Sequence, residues 1–273
     1  MVTTLTLRNI RARAVSLTLQ RPVVAKIATI RQWPLILIDL ETEEGITGRA
    51  YLEPYIEKSM NYLVPALNDL GDELKGQPVA PISLYEMARK TLHFVGYEGL
   101  SMIAVAGLDM AAWDAVARAA NQPLCAYLGG TVGPVTSYNS NGLWLQSPAE
   151  VAAEALELRE EGGFTGLKLR LGREKIADDH ATIDAVRQAV GDDMQLMIDY
   201  NQALSMADAL DRCHRIDDLG LAWIEEPVLY DNYEGYAQLA AQLKTPLQIG
   251  ENFYGPRELH KALRMRACDL VMP

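Results

Sequence analysis

Apolar and polar positions alternate loosely from Thr4 to Leu19. An apolar run at 35–40 is then turned by Glu43-Glu44-Gly45 into a second run at 46–51. This pattern predicts an antiparallel meander. From 56 to 120 the apolar positions recur at helical period. The clearest case is Leu100–Ala120, where Asp109-Met110-Ala111-Ala112-Trp113-Asp114 is apolar on most sides and reads as a buried helix. Gly129-Gly130 and Gly133-Pro134 break the pattern, and a domain boundary is expected there.

Beyond Val135 short apolar strands alternate with helices. Strands are expected near 135–140, 166–170, 195–199, 222–226, 247–250 and 269–272, and helices near 148–161, 174–190, 204–218, 232–243 and 256–265. This βα repeat implies a parallel sheet, in a barrel or a doubly wound fold. Each strand ends in polar groups: Asn139-Ser140, Lys168 with Arg170, Asp199 with Asn201, Glu225-Glu226, and Glu251-Asn252. A barrel brings all such ends to one mouth, so the barrel is preferred. No GxGxxG follows the first strand, so dinucleotide binding has no support. The expected organisation is an α+β N-terminal domain at 1–130, a three-stranded meander plus helices, and a (β/α) barrel domain at 131–273 with its first six strands. A closed barrel needs eight strands. The sequence is therefore expected to be part of a longer chain, or to complete its fold in another way.

Composition adds exclusions. The 273 residues amount to about two domains at roughly 150 residues each. Apolar residues make up 49% and charged residues 22%, which is globular rather than disordered. No run of about 18 uninterrupted apolar residues points to a membrane span. The net charge of −11 argues against a nucleic-acid partner. Met1-Val2-Thr3-Thr4 opens no secretory leader, and Cys125, Cys213 and Cys268 lack CxxC spacing. They read as free thiols, and the expected location is cytoplasmic.

The chemistry is concentrated at the strand ends. Asp199, Glu225 and Glu251 stand 26 residues apart, twice, each closing a predicted strand. Three carboxylates brought together at a barrel mouth repel one another unless a hard cation sits between them. All-oxygen ligation favours Mg²⁺, with Mn²⁺ also compatible. Taken singly, such acids are ordinary helix caps or solvated charges; the equal spacing is what singles them out. Lys168 and Arg170 share one side of the preceding strand. They suit an anionic substrate whose charge grows during reaction, or a salt bridge to Asp199 or a neighbouring carboxylate. Asn201 and Asn252 either bind substrate oxygens, orient the carboxylates, or cap helices. Glu226-Pro227 reads as a turn carrying a surface or structural acid. His93, His180, His214 and His260 fall on predicted helices, and no Ser/His/Asp set, P-loop or HExxH is present.

Lys168-Leu169-Arg170, Asp199-Tyr200-Asn201-Gln202, Trp223-Ile224-Glu225-Glu226-Pro227 and Gly250-Glu251-Asn252, in that order, resemble the enolase superfamily, mandelate racemase subgroup. Pro34–Leu40 and Gly107–Asp114 are similar to that subgroup's capping-domain segments. The resemblance implies an α+β capping domain followed by a TIM-like modified (β/α)₇β barrel, apparently incomplete at its C-terminal end. It implies Mg²⁺ on Asp199, Glu225 and Glu251, and removal of the proton α to a carboxylate through a metal-held enediolate. It matches Lys168 to the lysine that neutralises the substrate carboxylate. Tyr55, Val23 and Val24 fall in loops that reach over the mouth in that family, and Ser140 ends the first strand as a substrate-binding candidate. The partner implied is a small-molecule carboxylate; the resemblance also allows a homo-oligomer.

This sequence departs from the racemase pattern at Arg170. A lysine serves as a base there, whereas arginine stays protonated at neutral pH. The family's His–Asp dyad and a further acid would come from later strands, the aspartate immediately after Pro273. Dehydration of an acid sugar or other 2-hydroxy acid is therefore the expected reaction, with Lys168 and Arg170 as catalytic candidates. A racemase or epimerase is the alternative, and a truncated non-catalytic homologue is the third reading.

Overall fold

The computed structural model describes residues 4–273, so the first three residues read for a leader lie outside it. The chain divides into two compact units, one comprising 1–19 and 32–134 and the other 20–31 and 135–273.

The first unit holds the meander. Strands β1 (Leu7–Val24), β2 (Thr29–Thr42) and β3 (Thr47–Leu52) lie in the order β1-β2-β3. β2 pairs antiparallel with β3, with Leu40 opposite Gly48. Ile36, Ile38 and Leu40 are buried while Leu37 and Asp39 face outward, which is the period of two expected of a half-buried strand. Helices α1 (Glu57–Glu73), α2 (Pro81–Thr91), α3 (Leu100–Ala119) and the short α4 (Leu124–Tyr127) follow. α3 is long and apolar enough to cross a membrane by length and composition alone, although Asp109, Asp114 and Arg118 interrupt its apolar residues. Its Ala104, Val105, Leu108, Ala111, Ala112 and Ala115 are buried within this unit. Small residues let it lie close to the sheet. A Cβ on Gly48 would meet the Ala111 carbonyl oxygen at 2.0 Å, and one on Gly107 would meet Ile38 at 2.5 Å.

The second unit is the βα repeat. Strands β4 (Gly166–Arg170), β5 (Gln195–Asp199), β6 (Ile224–Glu225), β7 (Leu247–Ile249) and β8 (Leu270–Val271) are parallel and ordered as they occur in sequence. A doubly wound sheet reverses its order at a switch point. This one does not, so its topology is that of a barrel wall. Helices α5 (Pro148–Glu160), α6 (Ile176–Val190), α7 (Met206–Ile216), α8 (Tyr233–Ala240) and α9 (Pro256–Met265) alternate with the strands. Ser147 and Glu150 form a capping box on α5, and Ser205 and Asn232 cap α7 and α8. Leu167, Leu169, Leu196, Ile198, Ile224 and Leu247 join Val151, Leu158, Ile183, Val186 and Ile216 in one core.

The strand expected at 135–140 is absent. Residues 131–137 are exposed, and only Asn139 reaches the sheet, as an isolated parallel bridge to Leu167. Its backbone N–H donates to the Gly166 carbonyl, its own carbonyl accepts from the Lys168 N–H, and its side chain donates to the Leu158 carbonyl, so one residue is held on both sides without a continuing strand.

Candidate active site

The register of the second sheet aligns the strand ends. Arg170 lies opposite Asp199, Asp199 opposite Glu225, and Glu225 opposite Gln248, three residues before Glu251. A parallel sheet keeps C-terminal ends level, so polar residues at the ends of three consecutive apolar strands are brought to one rim.

Lys168 and Arg170 do share a face, because both reach Asp199. The Lys168 ammonium lies 3.2 Å from Asp199 Oδ2 and donates to Glu225 Oε1 at 2.6 Å, while Arg170 Nε lies 3.5 Å from Asp199 Oδ2. All four side chains are buried. Burial opposes the charge on Lys168, yet Asp199 and Glu225 hold it above the ordinary lysine range. Glu225 is pushed up to about 7, first by burial and then by the Asp199 charge. Its second oxygen accepts from Trp223 Nε1 at 3.0 Å. The Arg170 guanidinium stacks 4.7 Å from the Trp144 ring centroid, and its Nε makes no hydrogen bond. The loop after β4 is fixed by fully buried Asp179, which accepts from the Gly172 and Arg173 backbone N–H groups and from Arg212 Nη1 at 2.9 Å.

The residues beyond the strand ends are bonded to one another. Asn201 donates to Asp199 twice, from its backbone N–H at 2.7 Å and from Nδ2 at 3.0 Å, so it orients the carboxylate rather than capping a helix. Asn252 accepts from Gln202 Nε2 at 2.6 Å. Glu251 stands at the open rim, where the surrounding protein and the Asp199 charge raise its carboxyl. Ser140 is half-buried beside the Asn139 bridge. Tyr55 belongs to the first unit, 41% exposed and with φ of 60°.

Of the two readings of Glu226, a surface or a structural acid, the structure has the structural one. Glu226 is buried, accepts from Gln202 Nε2 at 2.7 Å and from the Gly250 N–H, and is raised by burial and by Glu251. The available signal was its place at the end of a wholly apolar strand, where a second acid has nowhere exposed to go. Gln202, its partner, entered only as the last residue of the Asp199–Gln202 segment, with no role attached.

Among the described residues no three His, Cys, Asp or Glu side chains close around a single point. The donor chemistry nonetheless fits a hard divalent cation. Asp199, Glu225 and Glu251 are oxygen donors on adjacent strand ends, and Asp199 raises the protonation of both glutamates through space. Lys168 already places a positive charge between two of them.

Comparison with known proteins agrees with this architecture. Residues 8–129 match the mandelate racemase / muconate lactonizing enzyme N-terminal domain, and 150–273 match the enolase C-terminal domain-like family. L-talarate/galactarate dehydratase of Salmonella typhimurium is 32% identical over 256 residues, covering 91% of this chain and 64% of that protein. Arabinonate dehydratase of Saccharolobus solfataricus is 30% identical, covering 68% of this chain and 50% of that protein. The chain thus spans less than two thirds of these curated relatives. A crystal structure of an enolase from alpha proteobacterium BAL199 with bound Mg is 67% identical at a TM-score of 0.96, covering 98% of this chain and 75% of that one. An enolase from Bradyrhizobium complexed with magnesium and mandelic acid is 36% identical at a TM-score of 0.94, covering 100% and 75%. With both halves matched, the chain belongs to the mandelate racemase / muconate lactonizing enzyme family of the enolase superfamily, whose fold is a capping domain followed by a (β/α)₇β barrel; five parallel strands of that barrel are present among the described residues.

Proposed function

We propose that this protein removes the proton α to a carboxylate and dehydrates an acid sugar, with Mg²⁺ held by Asp199, Glu225 and Glu251. The observation that supports this most is Lys168 lodged between two of those carboxylates, beside a permanently charged Arg170. An α-proton of a carboxylate is very weakly acidic, so its removal needs fixed positive charge where the anion grows. Bound Mg²⁺ supplies Lewis-acid polarisation of the substrate carboxylate. Lys168 donates N–H bonds to that carboxylate. Arg170 adds charge and cannot accept a proton at neutral pH. Asn201 holds Asp199 in place through its two bonds. Ser140 and Asn252 are assigned to substrate oxygens.

Arg170 decides between the candidate reactions. Racemisation needs a base on each face of the carbon, and arginine removes one of them. Dehydration proceeds with a single base, which the family resemblance assigns to a histidine of a later strand and not to Lys168 or Arg170: it would take the proton from C2 and pass it to the 3-hydroxyl, which leaves as water. Relatives carrying dehydratase names agree with this reading, and an N-succinyl-L-Arg/Lys racemase at 27% identity keeps inversion as the second one.

The test is incubation with Mg²⁺ and galactarate, galactonate or arabinonate. Formation of a 2-keto-3-deoxy acid, lost on chelation and in Glu225→Gln, is expected. Clean inversion at C2 without keto product rejects dehydration, and full activity in Glu225→Gln rejects the metal assignment.

A further inference from the structure

We infer that Gln202 is a positioning residue for the carboxylate rim, tying together the ends of β5, β6 and β7; this rests on the metal reading proposed above. Its side-chain amide is fully used. Nε2 donates to Glu226 Oε2 at 2.7 Å and to Asn252 Oδ1 at 2.6 Å, and Oε1 accepts from the Tyr230 N–H at 3.0 Å. Its backbone N–H donates to the Glu226 carbonyl at 2.7 Å.

Each partner is next to, or just beyond, a candidate ligand. Glu226 follows Glu225, Asn252 follows Glu251, and Gln202 itself lies one turn beyond Asp199. Glu226 extends the tie by accepting from the Gly250 N–H at 3.3 Å, immediately before Glu251. One side-chain amide therefore spans three strand ends, adding to the backbone bonds from the Tyr200 N–H to the Glu225 carbonyl and from the Glu226 N–H to the Gln248 carbonyl.

The local backbone is bent to allow it. Asn201, Gln202 and Glu226 have φ of 47°, 62° and 38°, the left-handed region that non-glycine residues seldom occupy. Such conformations persist where surrounding bonds fix them. Here the bonds are those of Gln202 and Glu226. The chain after each strand turns sharply, which keeps the next side chain beside the rim instead of running on into the following helix.

Groups behind a metal's ligands typically govern affinity by about tenfold to a hundredfold. The 273-residue chain is titrated with Mg²⁺ by calorimetry as wild type, Gln202→Leu and Gln202→Asn, with thermal melts recorded in chelator. Gln202→Leu is expected to weaken Mg²⁺ binding by about tenfold or more, with Gln202→Asn, which keeps both donors one methylene short, in between. A purely structural role would lower the melting temperature and leave the affinity of the folded protein unchanged. Affinity within about twofold of wild type in a folded Leu variant, or in the Asn variant should Leu not fold, overturns the inference. Wild-type protein that binds no Mg²⁺ overturns the metal reading with it. Wild-type binding with unaffected variants overturns Gln202 alone.

Discussion

Arg170 is the residue on which the choice of reaction turns. It sits two positions from Lys168 on the same face, close to Asp199 and stacked on Trp144. A guanidinium at that place is a fixed charge; a primary amine there is titratable and mobile. Arg170→Lys is therefore expected to open a second route for proton exchange. In deuterium oxide with an acid-sugar substrate, the wild type should return unreacted substrate largely unlabelled with inverted configuration absent. The Lys variant should return the C2 epimer carrying solvent deuterium, which NMR detects directly. An identical isotopic pattern in both would mean that Arg170 has no bearing on the proton at C2. The residues at the heart of this argument were legible because each is the first polar group after an apolar strand. Glu226 is legible only as either a surface or a structural acid, because a Glu-Pro pair normally marks a surface turn, and burial by a neighbouring strand end is not written in local sequence. Gln202, though part of the Asp199–Gln202 segment, was given no role for a related reason. Its partner Asn252 is 50 positions away, and an uncharged amide has no periodicity to betray it.

At the level of elements, hydrophobic period located the helices and strands because each has one buried face. α7 is an example, with Ala209, Cys213 and Ile216 buried on one side. What period does not carry is how an element is tied at its end. α7 stops at Asp217, whose carboxylate accepts the backbone N–H groups of Lys244 and Thr245 at 2.8–3.0 Å, just before β7. Burial works against the charge on Asp217, yet these N–H groups outweigh it and hold the carboxyl below its ordinary range. A carboxylate depressed in the folded state stabilises above its unfolded pKa, about 3.9, and loses that contribution as the pH falls through the folded value. Asp217→Ala is therefore expected to cost about 1–2 kcal/mol at pH 7 by urea denaturation. The gap from wild type should begin to narrow by pH 3, below the unfolded pKa, and close further as the pH falls toward the lowered folded value. An equal gap at the two pH values would assign the loss to packing alone. The missing strand at 135–140 teaches the converse. Its apolar content, Val135 and Tyr138, matched a strand, but residues 131–137 are exposed and within 135–140 only Asn139 pairs.

On the scale of the whole molecule, 36 acidic residues against 25 basic ones leave a net charge of −11. Three of the acids sit on adjacent strand ends, and a bound cation would offset part of their mutual repulsion. Anything that binds the folded state alone stabilises it, by about 2.7 kcal/mol at a hundredfold excess over the dissociation constant. That stabilisation is not uniform, because backbone amides exchange through openings of differing extent. The amides affected most directly are those whose bonds link the strand ends, such as Gln202 to the Glu226 carbonyl and Glu226 to the Gln248 carbonyl. Hydrogen exchange followed by mass spectrometry, with and without saturating Mg²⁺, is expected to slow in peptides covering 195–204, 222–230 and 247–254. Peptides from α3 in the first unit should change far less, since no candidate ligand lies among its residues. The same experiment on Glu225→Gln should lose the local slowing. Slowing of equal size in α3 would mean that both units open in one event, and no change in any peptide would leave the carboxylates without a bound ion to account for.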